Sequence, residues 1–222
     1  MGMLRHHGQA RDPALELKRR RLIEELRHDG ICDERVLVAL DRVPRHEFIE
    51  EALRNRAYEN NALPIGQAQT ISQPYIVALM TEAVLQAPRL RRVLEIGTGC
   101  GYQTAVLAQL VPAVFTVERL KRLSEHARER LARLGYHNVH FSYSDGNAGW
   151  PTYAPFDAIL VTAAADQVPP ALTDQLAPGG RLVIPVGPLG QQRLKVFERT
   201  EKGIKARELC GVSFVPLLSG RG

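Results

Sequence analysis

Val93-Leu94-Glu95-Ile96-Gly97-Thr98-Gly99-Cys100-Gly101-Tyr102 joins a mostly apolar run to three glycines in alternate positions. Arg92 to Ile96 has the length and composition of a buried strand, and the glycines after it let a ligand approach the backbone where a sheet changes direction. The spacing says which ligands to exclude. A dinucleotide fingerprint places glycine or alanine at the sixth position, but counting from Gly97 the sixth residue is Tyr102 and the fifth is Gly101. No Gly-Lys-Ser/Thr follows, so a phosphate-cradling loop is disfavoured as well. Glu95 stands two residues before the first glycine, where its charge would repel a pyrophosphate and favour a cationic ligand.

Downstream, the pattern alternates: helix 102 to 110, strand 113 to 117, helix 120 to 134, strands 138 to 143 and 156 to 161, short helix 169 to 176, strand 181 to 186. Alternation of this kind predicts an α/β fold with a doubly wound, mostly parallel sheet, and the runs at 193 to 199 and 204 to 215, joined by Lys202-Gly203, predict a C-terminal antiparallel hairpin. Glu118 falls at the second strand end, about 20 residues past the first glycine, where a carboxylate can accept from ribose hydroxyls. Asp145, before Gly146 at the third strand end, is placed to accept from an adenine amino group. Three acids on one sheet edge and no phosphate loop point to S-adenosylmethionine, a nucleoside that carries an ammonium and a sulfonium, and hence to a Rossmann-like methyltransferase.

Upstream, helical spacing at Leu15, Leu22, Ile23 and Leu26 predicts a helix from Pro13 to Asp29 that stops at Gly30, and a second runs from an Asp33 cap to Val43. These form an N-terminal helical extension of a single domain, 13 to 222, with residues 1 to 12 as a tail whose His6 and His7 are read as solvated rather than metal-binding. Residues 55 to 73 carry neither period and read as a long functional loop; Pro74 then opens an apolar helix to about Gln86. The chain has 45% hydrophobic and 24% charged residues, three widely separated cysteines and no apolar run long enough to span a bilayer. A cytoplasmic enzyme with reduced thiols and no metal is expected. The net charge of +5 is spread over several helices, so no focused nucleic-acid surface is expected.

The stretches Ala62-Leu63-Pro64-Ile65-Gly66-Gln67-Ala68-Gln69-Thr70-Ile71-Ser72-Gln73-Pro74-Tyr75, Val93 to Ala105 and Phe214-Val215-Pro216-Leu217 together resemble the bacterial type of protein-L-isoaspartate O-methyltransferase, over about Leu15 to Ser219. The resemblance implies that Gln69, Thr70 and Ser72 join Glu95, Gly97, Thr98, Gly99, Gly101, Tyr102, Glu118, Asp145, Gly146 and Thr162 around the cofactor. It also implies that Thr70, Ile71, Ser72 and the Val215-Pro216-Leu217 backbone hold isoaspartyl proteins and peptides, with Ser72 at the reacting centre. Ser144 and Cys100 stand where the family commonly has glycine and serine.

The chemistry implied is economical in residues. Isomerisation of Asn or Asp through a succinimide leaves a free α-carboxyl, whose pKa of about 3.5 keeps it ionised near neutrality, so no general base is needed. Methylation returns it toward succinimide and aspartate. Catalysis reduces to alignment, with Ser72 donating a hydrogen bond to the carboxylate. Ser72 can equally be a helix N-cap, and Thr162 either sits beside the methyl group or merely finishes a strand. Two other classes remain at this level: a nucleic-acid base methyltransferase, disfavoured by Val161-Thr162-Ala163-Ala164-Ala165 where an Asp/Asn-Pro-Pro-aromatic motif belongs, and a non-catalytic cofactor sensor. A monomer without membrane partners is expected.

Overall fold

A computed structural model describes residues 12 to 222; residues 1 to 11, with most of the expected tail and both of its histidines, lie outside the described part. Seven strands form the central sheet: β3 (Arg92–Ile96), β4 (Ala113–Glu118), β5 (Val139–Tyr143), β6 (Phe156–Val161), β7 (Leu176–Val186), β8 (Arg193–Thr200) and β9 (Gly203–Gly211). Their order is β5-β4-β3-β6-β7-β8-β9. β5 to β7 run parallel, whereas β8 and β9 are antiparallel, as expected of a doubly wound sheet closed by a hairpin. β3 lies between β4 and β6, so the glycine turn leaves the sheet at the point where strand order reverses, the usual ligand crevice of such sheets.

β3 and β6 are almost wholly buried because helices cover both faces, which is why their sequences are continuous apolar runs rather than alternations. One face packs Val93, Ala158, Leu160 and Val183 against α3 (Pro74–Leu85) and α4 (Tyr102–Leu110). The other buries Leu94, Ile96, Phe115, Ile159 and Leu182 with Leu172 of α6 (Pro170–Asp174). α1 (Pro13–His28) and α2 (Glu34–Arg42) add a third cluster through Leu22, Leu26, Val36 and Leu40. Asp12 accepts from the amides of Ala14 and Leu15 at 3.0 and 3.3 Å to start α1, and Asp33 accepts from Arg35 N at 2.9 Å to start α2.

Two expectations need correction. β7 begins at Leu176 rather than 181, because a register shift against β6 carries the chain through Pro178-Gly179-Gly180 without leaving the sheet. The final strand ends at Gly211 rather than 215. There the Gln192 side chain takes over the backbone of Phe214 in both directions, accepting from its N at 2.6 Å and donating to its O at 3.0 Å. The chain is thereby drawn across the carboxyl ends of the strands, where Ala164 N donates to Val215 O at 2.8 Å and Leu217 N to Ala164 O at 2.7 Å. The long loop holds a small hairpin of β1 (Leu63–Pro64) and β2 (Thr70–Ile71), preceded by short 3-10 turns at Arg45–Phe48 and Glu51–Arg56.

Candidate active site

The glycine turn is shaped by what would collide with it. Gly97 has φ +92°, and a Cβ there would strike Thr162 Oγ1. That hydroxyl lies 3.0 and 2.6 Å from Ile96 O and Gly97 O, so its one proton is committed to the turn and it can only accept from a ligand. Gly99 N donates to Glu118 Oε2 at 2.9 Å, and Leu120 N to Glu118 Oε1 at 2.9 Å. Glu118 is thus a nearly buried carboxylate fixed by two backbone donors, each oxygen keeping lone-pair capacity.

Glu95 departs from expectation. Its carboxyl is fully buried behind the turn, with Oε2 accepting from Thr104 Oγ1 at 2.5 Å and Thr116 Oγ1 at 2.6 Å, while Oε1 has no partner. Burial outweighs those two bonds and pushes its pKa up to about 8, so the group is largely neutral near neutrality. The proposed repulsion of phosphate by a Glu95 charge therefore fails. The carboxyl terminates a polar chain, continued by a 2.6 Å contact between Thr116 and Thr98 hydroxyls, that lies inside the core.

A cavity of about 320 Å³ opens beside the turn, walled by Gly97, Gly99, Tyr102, Glu118, Gly146, Thr162 and Val215 to Leu217, and closed by Gln69, Thr70, Ile71 and Ser72 from the hairpin loop. Thirteen of the predicted positions are those just named. Four are not on its wall. Glu95 and Thr98 face the core network; Gly101 (φ +90°) gives close approach to Leu131 and Ala127 of α5 (Lys121–Arg133). Asp145 binds Asn147 N and Gly220 N at 2.8 and 2.7 Å, fixing the C-terminal segment instead of reaching the cavity, and these bonds hold its pKa below the usual range against the cost of burial. Gly146 alone carries that corner, where a side chain would strike Ile96. Val77, Gln103, Leu120 and Leu218 also line the cavity. Sequence reading passed over them because nothing distinguishes wall residues of a helix or tail from ordinary packing.

A second, open groove of about 820 Å³ runs between Asn61-Ala62, Gln73 and the segments 190 to 193 and 211 to 215. The two spaces share Thr70, Ser72, Thr162 and Val215. Ser72 does not cap α3: the N-cap is Gln73, whose side chain makes no capping bond, and Asn60 Oδ1 accepts from Tyr75 N at the helix start. Its hydroxyl stands at the junction without a partner among the described residues.

The enclosed cavity suits an adenosyl ligand: a fixed carboxylate at the second strand end, apolar walls from Ile96, Val117, Leu120 and Leu217, and a Gly146 corner that any Cβ would fill. Sheet, switch-point turn and cavity together define a Rossmann-like S-adenosylmethionine-dependent methyltransferase. The chain belongs to the Protein-L-isoaspartate(D-aspartate) O-methyltransferase family, which matches residues 17 to 222. It is 57% identical over 202 residues to the protein-L-isoaspartate O-methyltransferase of Pseudomonas paraeruginosa, covering 91% of this chain and 96% of that one. The Halorhodospira halophila protein of the same name is 55% identical over 203 residues, 91% and 92% of the two chains. A solved protein-L-isoaspartate O-methyltransferase superposes with TM-score 0.82 at 30% identity, over 92% of this chain and 67% of the other. A Plasmodium falciparum structure of the same family, in complex with S-adenosyl-L-homocysteine, gives TM-score 0.79 at 27% identity over 90% and 98%.

Proposed function

We propose that residues 13 to 222 act as one repair methyltransferase unit that moves a methyl group from S-adenosylmethionine to the free α-carboxylate of L-isoaspartyl residues. The carrying observation is the junction of the two spaces. Among the described residues, those shared by both walls offer hydroxyls at Thr70, Ser72 and Thr162, and no histidine, carboxylate or amine. A site that cannot deprotonate its nucleophile suits a substrate that arrives ionised, as a carboxylate does.

When bound, the cofactor supplies a methyl group on a positively charged sulfur leaving group. Glu118 would hold its ribose, the Gly97 and Gly99 backbone its amino-acid part, and the walls around Gly146 its adenine. Ser72 donates its hydroxyl proton to the incoming carboxylate and fixes which oxygen faces the methyl carbon. Thr162, whose proton is committed, presents only lone pairs and its methyl group at the junction. Gln69, Thr70 and Ile71 roof the site and exclude water, which strengthens each remaining polar contact. On the groove side, Val215 O and Leu217 N are taken by Ala164, and Pro216 has no N–H, so Val215 N–H is the backbone donor of this segment left for a peptide.

The decisive assay is transfer of labelled methyl from S-adenosylmethionine to a synthetic peptide containing L-isoaspartate, beside its twin with ordinary aspartate. Label in the isoaspartyl peptide alone is expected; equal label in both, or none, would sink the proposal. We further propose a monomer working in the cytoplasm without nucleic-acid or membrane partners. Cys32, Cys100 and Cys210 are all unpaired, which suits a reducing compartment, and no helix of the described residues is long and apolar enough to cross a membrane.

A further inference from the structure

Arg45 opens the short turn after Pro44 and is completely buried. No carboxylate among the described residues pairs with it. Its Nε donates to Ala57 O at 2.9 Å, and its Nη2 to Ser72 O at 2.8 Å and Asn61 O at 3.4 Å, while the guanidinium sits 4.7 Å from the centre of the Tyr102 ring. Removing a cation from water is costly, and this one is compensated only by loop carbonyls and an aromatic face. A residue needed merely to fill the space would be better apolar, since a buried charge is poor evidence of net stabilisation. What the guanidinium supplies, and an apolar side chain cannot, is a rigid fork joining three points of the 57 to 72 segment. Tyr102 is part of the cofactor cavity, so one cation touches the roof and the wall of the same site.

We propose that Arg45 is a positioning residue for methyl transfer, holding the main chain of Ser72 against Tyr102 so that the Ser72 hydroxyl stands at the junction of the cavity and the groove. This rests on the function proposed above, and Arg45 acts through Ser72 without touching substrate. Arg45→Lys keeps the charge but loses the fork; Arg45→Met removes the charge as well.

The test combines steady-state kinetics on an isoaspartyl peptide with binding of S-adenosyl-L-homocysteine. Arg45→Lys is expected to lower kcat about 5- to 150-fold and no further than Ser72→Ala does, with S-adenosyl-L-homocysteine affinity within about threefold of wild type. Combined with Ser72→Ala, it should lower kcat no more than about threefold below Ser72→Ala alone, because both changes remove the same placement. Multiplying effects would overturn the proposal and leave Arg45 a general support of the fold, as would a kcat for Arg45→Lys within twofold of wild type. Wild-type failure to methylate the peptide would strike the functional reading instead. Amide exchange then still tests Arg45: amides 70 to 73 should exchange at least tenfold faster in Arg45→Lys, and also in Arg45→Met if it folds, with 102 to 110 unchanged. Equal exchange at 70 to 73 would refute the positioning role.

Discussion

The two walls of the cavity use the same backbone device in opposite ways. The strand-side wall turns through Gly97 and Gly99 at φ +92° and +55°, backed by Gly101 at +90°, conformations that cost glycine little. The roof also turns through three successive left-handed residues, but after Gly66 come Gln67 and Ala68 at +56° and +55°. Each of those side chains costs roughly 1 to 2 kcal/mol there. The wall rests on a sheet of fully buried residues, while the roof rests on Arg45, on Asn60 accepting from Tyr75 N at 3.0 Å, and on buried Ile71. A pre-formed wall suits a ligand that must be held, and a strained, polar-anchored roof suits a surface that must admit cofactor and peptide in turn.

The comparison breaks most sharply at Gly97. Gly97→Ala adds a methyl group that strikes Thr162 Oγ1 at an unfavourable φ. We expect S-adenosyl-L-homocysteine binding to weaken at least about 100-fold by calorimetry. Affinity within tenfold of wild type would mean the wall is as pliable as the roof. Next comes Glu118→Ala, which removes the acceptor for Gly99 N and Leu120 N together with the ribose partner; cofactor affinity should fall by roughly tenfold to a few hundredfold. A change under twofold would move the ribose site elsewhere.

On the roof side the effect should appear in rate rather than affinity. Ser72→Ala is expected to slow methylation about 5- to 150-fold, with cofactor affinity within about twofold. Because Gln73 and not Ser72 stands at the N-cap, the melting temperature should move by less than about 2 °C. With no base at the junction among the described residues, the wild-type rate should be flat from about pH 6 to 8. A rate rising tenfold per pH unit, lost in Ser72→Ala, would make Ser72 part of a base-dependent relay.

What was legible in the sequence divides along the same line. The wall could be read from residues, since buried parallel strands leave continuous apolar runs and left-handed turns leave glycines. The roof could not: Gln67 and Ala68 give no sign of their backbone, and Arg45, 27 residues from Ser72, looks like any surface arginine. Those contacts arise from long-range packing, and only the family resemblance pointed to Thr70-Ile71-Ser72. Reading residue type without side-chain direction also misled. Glu95 and Asp145 sit at strand ends as expected, yet one carboxyl turns into the core and the other binds the C-terminal segment.

Glu95 gives the smallest expected effect on cofactor affinity and, through stability, the finest test of that lesson. Burial raises its folded pKa to about 8, whereas in an unfolded chain a glutamate titrates near about 4.3. Between those values the folded protein holds a proton that the unfolded chain has released, so the contribution of Glu95 to stability falls as pH rises through the window and is level above it. Glutamine imitates the protonated form and keeps an oxygen for Thr104 and Thr116, though its amide replaces an Oε1 that has no partner. Glu95→Gln should therefore melt close to wild type at pH 5 and gain on it steadily to pH 8, with cofactor affinity little changed. A melting-temperature difference that does not vary between pH 5 and 8 would show that Glu95 is ionised in the folded protein, and would restore it as a charge that selects a cationic ligand.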